Sequence, residues 1–149
     1  MKLKLLTGVV ALVASVLANA GELDGKAIVC HDIEYPESAV YYEFRDGKAW
    51  VSGVNQDGVK AVIVKEWSGI DYATEPNRVR WQSGPGEDQW NYLWRETLKM
   101  EYIYVPENRV YFEYQCEVSG SLAEYHEAME RERTAQQEKI DEQMKDNKI

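Results

Sequence analysis

Few residues in this chain have the types and spacing that chemistry requires. The histidines are His31 and His126, and the cysteines are Cys30 and Cys116. His126 begins the segment His-Glu-Ala-Met-Glu, which is spaced like the zinc-binding pattern H-E-x-x-H. The segment ends in Glu130, where the pattern requires a second histidine. Because a histidine beside a glutamate is common on charged helices, we predict no metal site here.

Other catalytic constellations are also missing from the sequence. Serine catalysis needs a nucleophile oriented by a nearby base, but no G-x-S-x-G segment is present. The segment 83–88 has glycines but no lysine and no following helix pattern, so it does not predict a phosphate site. With 26 acidic residues, carboxylate pairs are too common to be informative. We predict a protein that is not an enzyme and has no catalytic residues and no cofactor; an enzyme without a recognisable motif is the third alternative.

The first twenty residues have the pattern of a secretory signal peptide. Lys2 and Lys4 give a positive start, residues 5–17 form an apolar run, and 18–20 (Ala-Asn-Ala) supply small residues before a cleavage site. A membrane anchor needs about 20 apolar residues, and Glu22 follows the run too soon. The sequence predicts cleavage after position 20, a periplasmic or secreted product, and no membrane span after cleavage.

Cleavage makes the chain more acidic. The leader carries two of the 17 basic residues and no acid, so residues 21–149 have 15 basic and 26 acidic residues, a formal charge of −11. Nucleic acids and anionic lipids are bound by basic surfaces, so we predict neither as a partner. An acidic surface does attract a basic protein.

Cys30 and Cys116 are predicted to form a structural disulfide, because paired cysteines in an exported chain are normally bridged. They lie 86 positions apart, whereas redox-active pairs are typically spaced C-x-x-C. The Cα atoms of a bridge lie within about 7 Å of each other. The first and last predicted strands must therefore meet.

Residues 26–119 alternate between short apolar–polar segments and turn residues, and Asp46-Gly47 is the strongest hairpin signal among them. The predicted strands are 26–33, 39–45, 48–54, 59–67, 71–74, 78–82, 90–94, 98–105 and 109–119. About eight such strands indicate a sandwich or a barrel, and the contact between the first and last strands favours the barrel. We predict a mainly β fold, an antiparallel up-and-down β-barrel over residues 21–119.

Residues 120–149 predict a charged C-terminal α-helix. Ser121 and Glu124 fit a capping box. A short apolar stripe that can pack on the barrel follows at Leu122, Tyr125 and Met129. Beyond that stripe the residues are mostly charged or amidic, which predicts a solvated helix that frays towards Ile149.

Aromatic residues offer the main clue to binding. The chain has ten tyrosines and only two phenylalanines. Its tryptophans are Trp50, Trp67, Trp81, Trp90 and Trp94. They can line a barrel pocket, stack on sugars or form a protein-binding patch, but the simplest interpretation is that most of them fill the barrel.

Three short segments resemble small exported bacterial β-barrel-like proteins of uncharacterised function. They are Leu-Asp-Gly-Lys-Ala-Ile-Val-Cys at 23–30, Arg-Glu-Thr-Leu-Lys-Met at 95–100 and Tyr-Gln-Cys-Glu at 114–117. The resemblance covers residues 23–117 and implies a disulfide-closed β domain. In plan, the chain is also similar to membrane-bound or periplasmic lysozyme inhibitors. It departs from them because Tyr-Gln-Cys stands in the last strand, so no inhibitory residue is carried over.

Together these observations predict an exported, non-enzymatic binding protein whose ligand is an unknown small amphipathic molecule held in the barrel. The alternative is a periplasmic protein-interaction module, such as an inhibitor of a basic cell-wall hydrolase. An apolar cavity containing several tryptophans favours the first function. A filled barrel with an acidic, aromatic outer patch favours the second.

Overall fold

The computed structural model describes residues 21–65, 69–83, 86 and 88–146. The predicted signal peptide, Trp67 and the last three residues lie outside this part of the chain. The strands are β1 (Ala27–Asp32), β2 (Ala39–Arg45), β3 (Lys48–Asp57), β4 (Lys60–Lys65), β5 (Ile70–Thr74), β6 (Arg78–Gln82), β7 (Gln89–Trp94), β8 (Lys99–Tyr104) and β9 (Arg109–Val118). A 3₁₀ turn (Val105–Glu107) joins β8 to β9, and one helix, α1 (Leu122–Asp146), follows.

Eight strands form a closed antiparallel barrel, which confirms the predicted fold class. Its strands pair in the order β2-β1-β9-β8-β7-β6-β5-β3, and β3 pairs with β2 to close the circle. Within the described residues, the remaining strand, β4, pairs only with the outer part of β3, where Ser52–Asp57 run beside Lys60–Lys65. The described part of the predicted strand 59–67, β4, is therefore an added strand outside the barrel wall, because β3 is ten residues long and uses its first two to pair with β5.

Side chains from one side of every wall strand pack into the central part of the barrel interior. Its fully buried centre includes Phe44, Trp81 and Met100, and edge-to-face rings connect Tyr42, Phe44 and Trp81 at centroid distances of 5.0 and 5.6 Å. Such ring pairs add to the stabilisation from apolar burial. Cys30 and Cys116 form the disulfide within this core, directly opposite each other on β1 and β9.

Helix α1 covers the outer face of β1 to β4. Tyr125 and Met129 are buried there against the wall, and the hydroxyl of Tyr41 donates a hydrogen bond to Glu132. Burial raises the pKa of Tyr125 to about 12. Glu124 N–H donates a hydrogen bond to the Ser121 hydroxyl at 3.2 Å, which is one of the two bonds of the predicted capping box.

The second half of the helix is docked at Gln137 and Ile140, where the predicted solvated segment is wrong, whereas residues 141–145 are exposed as predicted. Ile140 is buried at 4% exposure. Gln137 accepts a hydrogen bond from Ala61 N–H at 2.8 Å and donates one to the Val59 carbonyl at 3.0 Å. The sequence concealed this contact because an amide, rather than an apolar stripe, makes it. Within the described residues, no helix is long and apolar enough to cross a bilayer.

The opposite outer face, on β6 and β7, is covered by its own side chains. Arg78 lies 4.5 Å from the ring centre of Tyr92, and Arg80 lies 4.9 Å from that of Trp90. Both guanidinium groups pair with Glu75, at 2.6 and 2.8 Å. Each cation therefore rests on a ring while its charge is neutralised, an arrangement that shields an aromatic sheet face from water.

Candidate functional site

One end of the barrel, here called the closed end, is covered by the N-terminal turn, although a pocket of about 190 Å³ lined by Leu23, Phe44 and Leu98 remains there. The Asp24 carboxylate accepts hydrogen bonds from Gly47 N–H and from the Tyr72 hydroxyl, each at 3.1 Å. Tyr72 in turn accepts a hydrogen bond from Leu23 N–H at 2.9 Å. Gly47 lies in the Asp46-Gly47 hairpin turn, where both residues have positive φ (55° and 69°). The predicted turn thus also anchors the segment that covers the barrel.

An ion pair fixes the same end from outside. Arg95 contacts both carboxylate oxygens of Glu22, at 2.7 and 3.0 Å, and its Nε donates to the Glu75 carbonyl at 3.0 Å. The hydrogen bond from Arg95 holds the pKa of Glu22 below its ordinary value of 4.5. A two-point contact of this kind is geometrically specific, so the N-terminal turn has one defined position.

The other end of the barrel is an open mouth that contains a cavity of about 190 Å³. Its walls come from seven of the eight barrel strands. The lining residues are Val40, Tyr42, Ala49, Val51, Ile70, Trp81, Gln82, Ser83, Asn91, Tyr102, Phe112 and Tyr114. An apolar cavity of roughly 150 Å³ accommodates benzene, so this mouth has room for one ring-sized group.

Two buried polar side chains take part in the cavity wall. Trp81 is 1% exposed, and its indole N–H has no hydrogen-bond acceptor among the described residues. Asn91 is 3% exposed and donates to the Ser83 hydroxyl at 2.8 Å. Burying a donor without an acceptor costs about 1–3 kcal/mol. Among the described tryptophans, Trp81 is the one whose buried indole N–H has no acceptor, so its burial carries this cost.

Apolar side chains surround the mouth at the β8–β9 end. Phe112 lines the cavity yet is 51% exposed, and its ring lies 5.8 Å from Tyr102 and 6.5 Å from Tyr114. Other exposed apolar residues of the mouth loops and of β9 are Ile33, Tyr35, Val105, Val110 and Tyr111. Exposed apolar side chains next to a cavity are a common property of binding sites.

Two tyrosines make the mouth amphipathic. Burial raises the pKa of Tyr102 and of Tyr114, and the carboxylate of Asp32 raises that of Tyr114 further. Both hydroxyls therefore stay neutral at physiological pH and can donate or accept hydrogen bonds.

The tryptophans do not act as one group. Among the tryptophans that the structure describes, only Trp81 lies in the interior, whereas Trp50 lies beneath Arg45 at 4.2 Å on the outside of the wall. Trp94 donates its indole N–H to Glu101 on the outer face at 3.0 Å. The sequence did not single out Tyr102, Phe112 or Tyr114. What the sequence does show is their position: aromatic residues occupy alternate positions on the two strands that the turn at 105–108 joins.

The histidines are not brought together. His31 Nδ1 lies 3.1 Å from the Pro36 carbonyl, and the ring of His126 packs 5.2 Å from that of Tyr125 on the helix. No group of three or more histidine, cysteine, aspartate or glutamate side chains in the described residues has the spacing of a metal site.

A second concavity, here called the β2–β3 cleft, opens beside the mouth and has a volume of about 700 Å³. The pairing of β2 with β3 ends at Tyr41 and Ser52, although β3 continues to Asp57. The separated strand ends form two walls of the cleft and the second half of α1 forms the third. Val40 and Val51 line both the cleft and the mouth cavity, so the two spaces are neighbours across these side chains.

Comparison with known proteins adds no relative to this geometry: no protein-family model, no curated protein and no solved structure matches the chain.

Proposed function

We propose that the chain is an exported, non-enzymatic binding protein that holds one ring-sized end of a small amphipathic ligand in the barrel mouth. The observation that carries the proposal is the buried indole N–H of Trp81, which lacks a protein acceptor in a residue that lines an open cavity. Ligand sites combine mostly apolar walls with a few placed polar groups, and the mouth has this composition.

The geometry also supports a description of the ligand. A single ring fits the volume of about 190 Å³, and a carbonyl or carboxylate oxygen on it can accept the Trp81 hydrogen bond. The remainder of the molecule must leave through the mouth, past the exposed ring of Phe112 and the Tyr102 hydroxyl. An amphipathic molecule with an apolar ring and a polar extension satisfies both parts of this path.

Location outside the cytoplasm is part of the proposal. The leader pattern at residues 1–20 and the Cys30–Cys116 bridge support it, because disulfides persist mainly in oxidising compartments. Periplasm and secretion are both compatible with these two features.

A matched pair of probes tests the site. Acetophenone and ethylbenzene have nearly the same shape, but only acetophenone carries a carbonyl acceptor. In ¹⁵N-labelled protein, we expect acetophenone to shift the Trp81 indole signal and to bind about 2–10 times more tightly than ethylbenzene, the ratio that one hydrogen bond provides. The signal is identified by its loss in Trp81→Phe.

Trp94→Phe is the control, because that indole N–H is already bonded to Glu101 on the outer face. It is expected to leave acetophenone binding unchanged. The proposal is contradicted if the two probes bind with equal affinity, or if the Trp81 signal does not move during the titration. A buried water molecule is then the acceptor of the indole N–H.

A further inference from the structure

A cation lies on the mouth side of the barrel wall, one layer of side chains outside the cavity. Tyr102 of β8 pairs with Phe112 of β9, and both line the cavity. Two residues further along β8, which is about 7 Å, Tyr104 pairs with Arg109. Directly paired residues of an antiparallel sheet project to the same face. Arg109 therefore projects to the side of the sheet that faces the mouth.

A β-bulge places Arg109 on this side. The register of β8 and β9 shifts by one residue after Tyr102, where it passes over Tyr111. Without this shift Val110 would pair with Tyr104, and Arg109 would project to the outer face. Bulges re-aim side chains and are common beside functional sites. The irregularity thus brings a positive charge to the mouth that a regular sheet would direct away from it.

Aromatic rings connect this cation to the cavity. The guanidinium carbon of Arg109 lies 5.0 Å from the ring centre of Tyr111. The Tyr111 ring in turn packs against the rings of Tyr102 and Tyr104, with 6.3 Å between centroids in each pair. Since Tyr102 lines the cavity, a molecule that leaves the cavity past Tyr102 comes within reach of the Arg109 guanidinium.

The charge of Arg109 is not neutralised by any carboxylate that the structure describes. In this strongly acidic chain, every other arginine forms an ion pair with an aspartate or glutamate side chain: Arg45, Arg78, Arg80, Arg95, Arg131 and Arg133. Arg109 is exposed and forms no such pair with a described residue. Because guanidinium groups match the planar shape of a carboxylate, Arg109 can accept an external anion.

The charges of the mouth favour an anion in this outer layer rather than inside the cavity. Asp32 is 9% exposed and pairs with Tyr114, which lines the cavity. One oxygen of the Asp32 carboxylate accepts hydrogen bonds from the N–H groups of Glu34 and Tyr35, at 2.8 and 2.9 Å. A second carboxylate beside Asp32 would be repelled, whereas one beside Arg109 is attracted.

We propose that the ligand of the mouth is an anion, with its ring in the cavity and a carboxylate that pairs with Arg109 in the outer layer. This inference rests on the proposed function and names the class of ligand. Asn91 pairs with both Trp81 and Tyr102, so the indole belongs to the Tyr102 layer and Arg109 lies about 7 Å further out along the strands. A short flexible arm between the ring and the carboxylate spans that distance.

Two probes of the same shape and different charge test the inference. One is acetophenone with a butanoate arm in the para position, and the other carries a butanamide arm in its place. Binding to the full chain is followed by the indole signal of Trp81 in ¹⁵N-labelled protein. We expect the butanoate to bind about 2–5 times more tightly than the butanamide, the ratio that one exposed ion pair provides. The preference should decrease at high salt, because screening weakens exposed ion pairs.

Three protein variants locate the anion. Arg109→Gln is expected to abolish the preference for the butanoate, while plain acetophenone still shifts the Trp81 signal and so shows that the variant is folded. Arg109→Lys keeps the charge without the two-point geometry and should retain part of the preference. Arg131→Gln is the control: it removes the same charge from an exposed position on the helix and should leave the preference unchanged.

Three results overturn the inference and leave the proposed function standing, because acetophenone itself carries no charge. They are equal affinity of the wild type for the two probes, a preference that persists in Arg109→Gln, and an equal loss of preference in Arg131→Gln. If neither acetophenone nor either of its derivatives binds, the proposed function fails and the inference fails with it.

Discussion

The two ends of the barrel satisfy their polar groups in opposite ways. At the closed end, the carboxylate of Asp24 meets two donors and Glu22 meets both arms of Arg95. At the mouth, Trp81 keeps a buried N–H without a protein acceptor and Phe112 is half exposed. Since buried polar groups are nearly always paired, the contrast supports the proposal that an external molecule binds at the mouth, whereas the contacts of the closed end stabilise the fold.

Removing the disulfide tests whether the closed end can hold the barrel together without it. We expect the double variant Cys30→Ala and Cys116→Ala to lose about 2–5 kcal/mol in the free energy of unfolding, as is typical when a small domain loses a bridge over a long loop. Urea denaturation monitored by circular dichroism measures the loss. Wild-type protein in reductant should behave in the same way, and a loss below about 1 kcal/mol contradicts the expectation.

Disrupting the closed end itself has the next largest effect. Asp24→Ala removes the acceptor of Gly47 N–H and of the Tyr72 hydroxyl, and we expect a loss of about 1–2 kcal/mol in urea denaturation with acetophenone affinity unchanged. Asp57→Ala, at the exposed end of β3, is the control and should change stability little. If Asp24→Ala instead lowers acetophenone affinity strongly and leaves stability unchanged, this end of the barrel, rather than the mouth, takes part in binding.

The ion pair between Glu22 and Arg95 at the closed end makes part of the folding stability depend on pH. The pKa of Glu22 is lowered on folding, so its contribution is fully present above the ordinary value of 4.5 and is lost as pH falls through the lower folded value. We expect the thermal midpoint of Glu22→Gln to lie below that of the wild type at pH 7 and to approach it at pH 3. If the difference between the two thermal midpoints is the same at pH 7 and pH 3, the ion pair between Glu22 and Arg95 does not contribute to stability.

At the mouth, the smallest change in stability should accompany a clear change in binding. Phe112→Ser removes a half-exposed ring from the cavity rim, and we expect stability to stay within about 0.5 kcal/mol of the wild type while acetophenone binds several-fold more weakly. Val105→Ser removes a similarly exposed apolar side chain that does not line the cavity. If both variants bind alike, the rim takes no part in the site.

The contrast between the ends also explains which features were predictable. Apolar–polar alternation located the strands, and two distant cysteines required the first and last to meet, which led to the closed barrel. Alternation does not say which strands are neighbours, so the placement of β4 outside the wall could not be predicted. It was also misleading on β7, where Asn91 is buried and Trp90 faces outwards. From size and polarity alone, Trp90 would be expected inside the barrel and Asn91 outside.

The site was less predictable than the fold. The sequence raised Trp81 only as one of five tryptophans, because an unpaired N–H is a property of the packed environment rather than of the residue. The resemblance to small exported bacterial proteins stays a prediction, and so does the signal peptide at residues 1–20.

One side chain of the helix has a consequence for behaviour at high concentration. Gln137 offers its amide oxygen to Ala61 N–H and its amide nitrogen to the Val59 carbonyl, and these are the groups that a neighbouring strand would present. The side-chain amide thus takes the place of a peptide unit along the outer edge of β4. Exposed edges of this kind allow sheets of neighbouring molecules to pair edge to edge and aggregate. By bonding to Ala61 N–H and to the Val59 carbonyl, this one glutamine covers the start of the edge and protects it from such pairing.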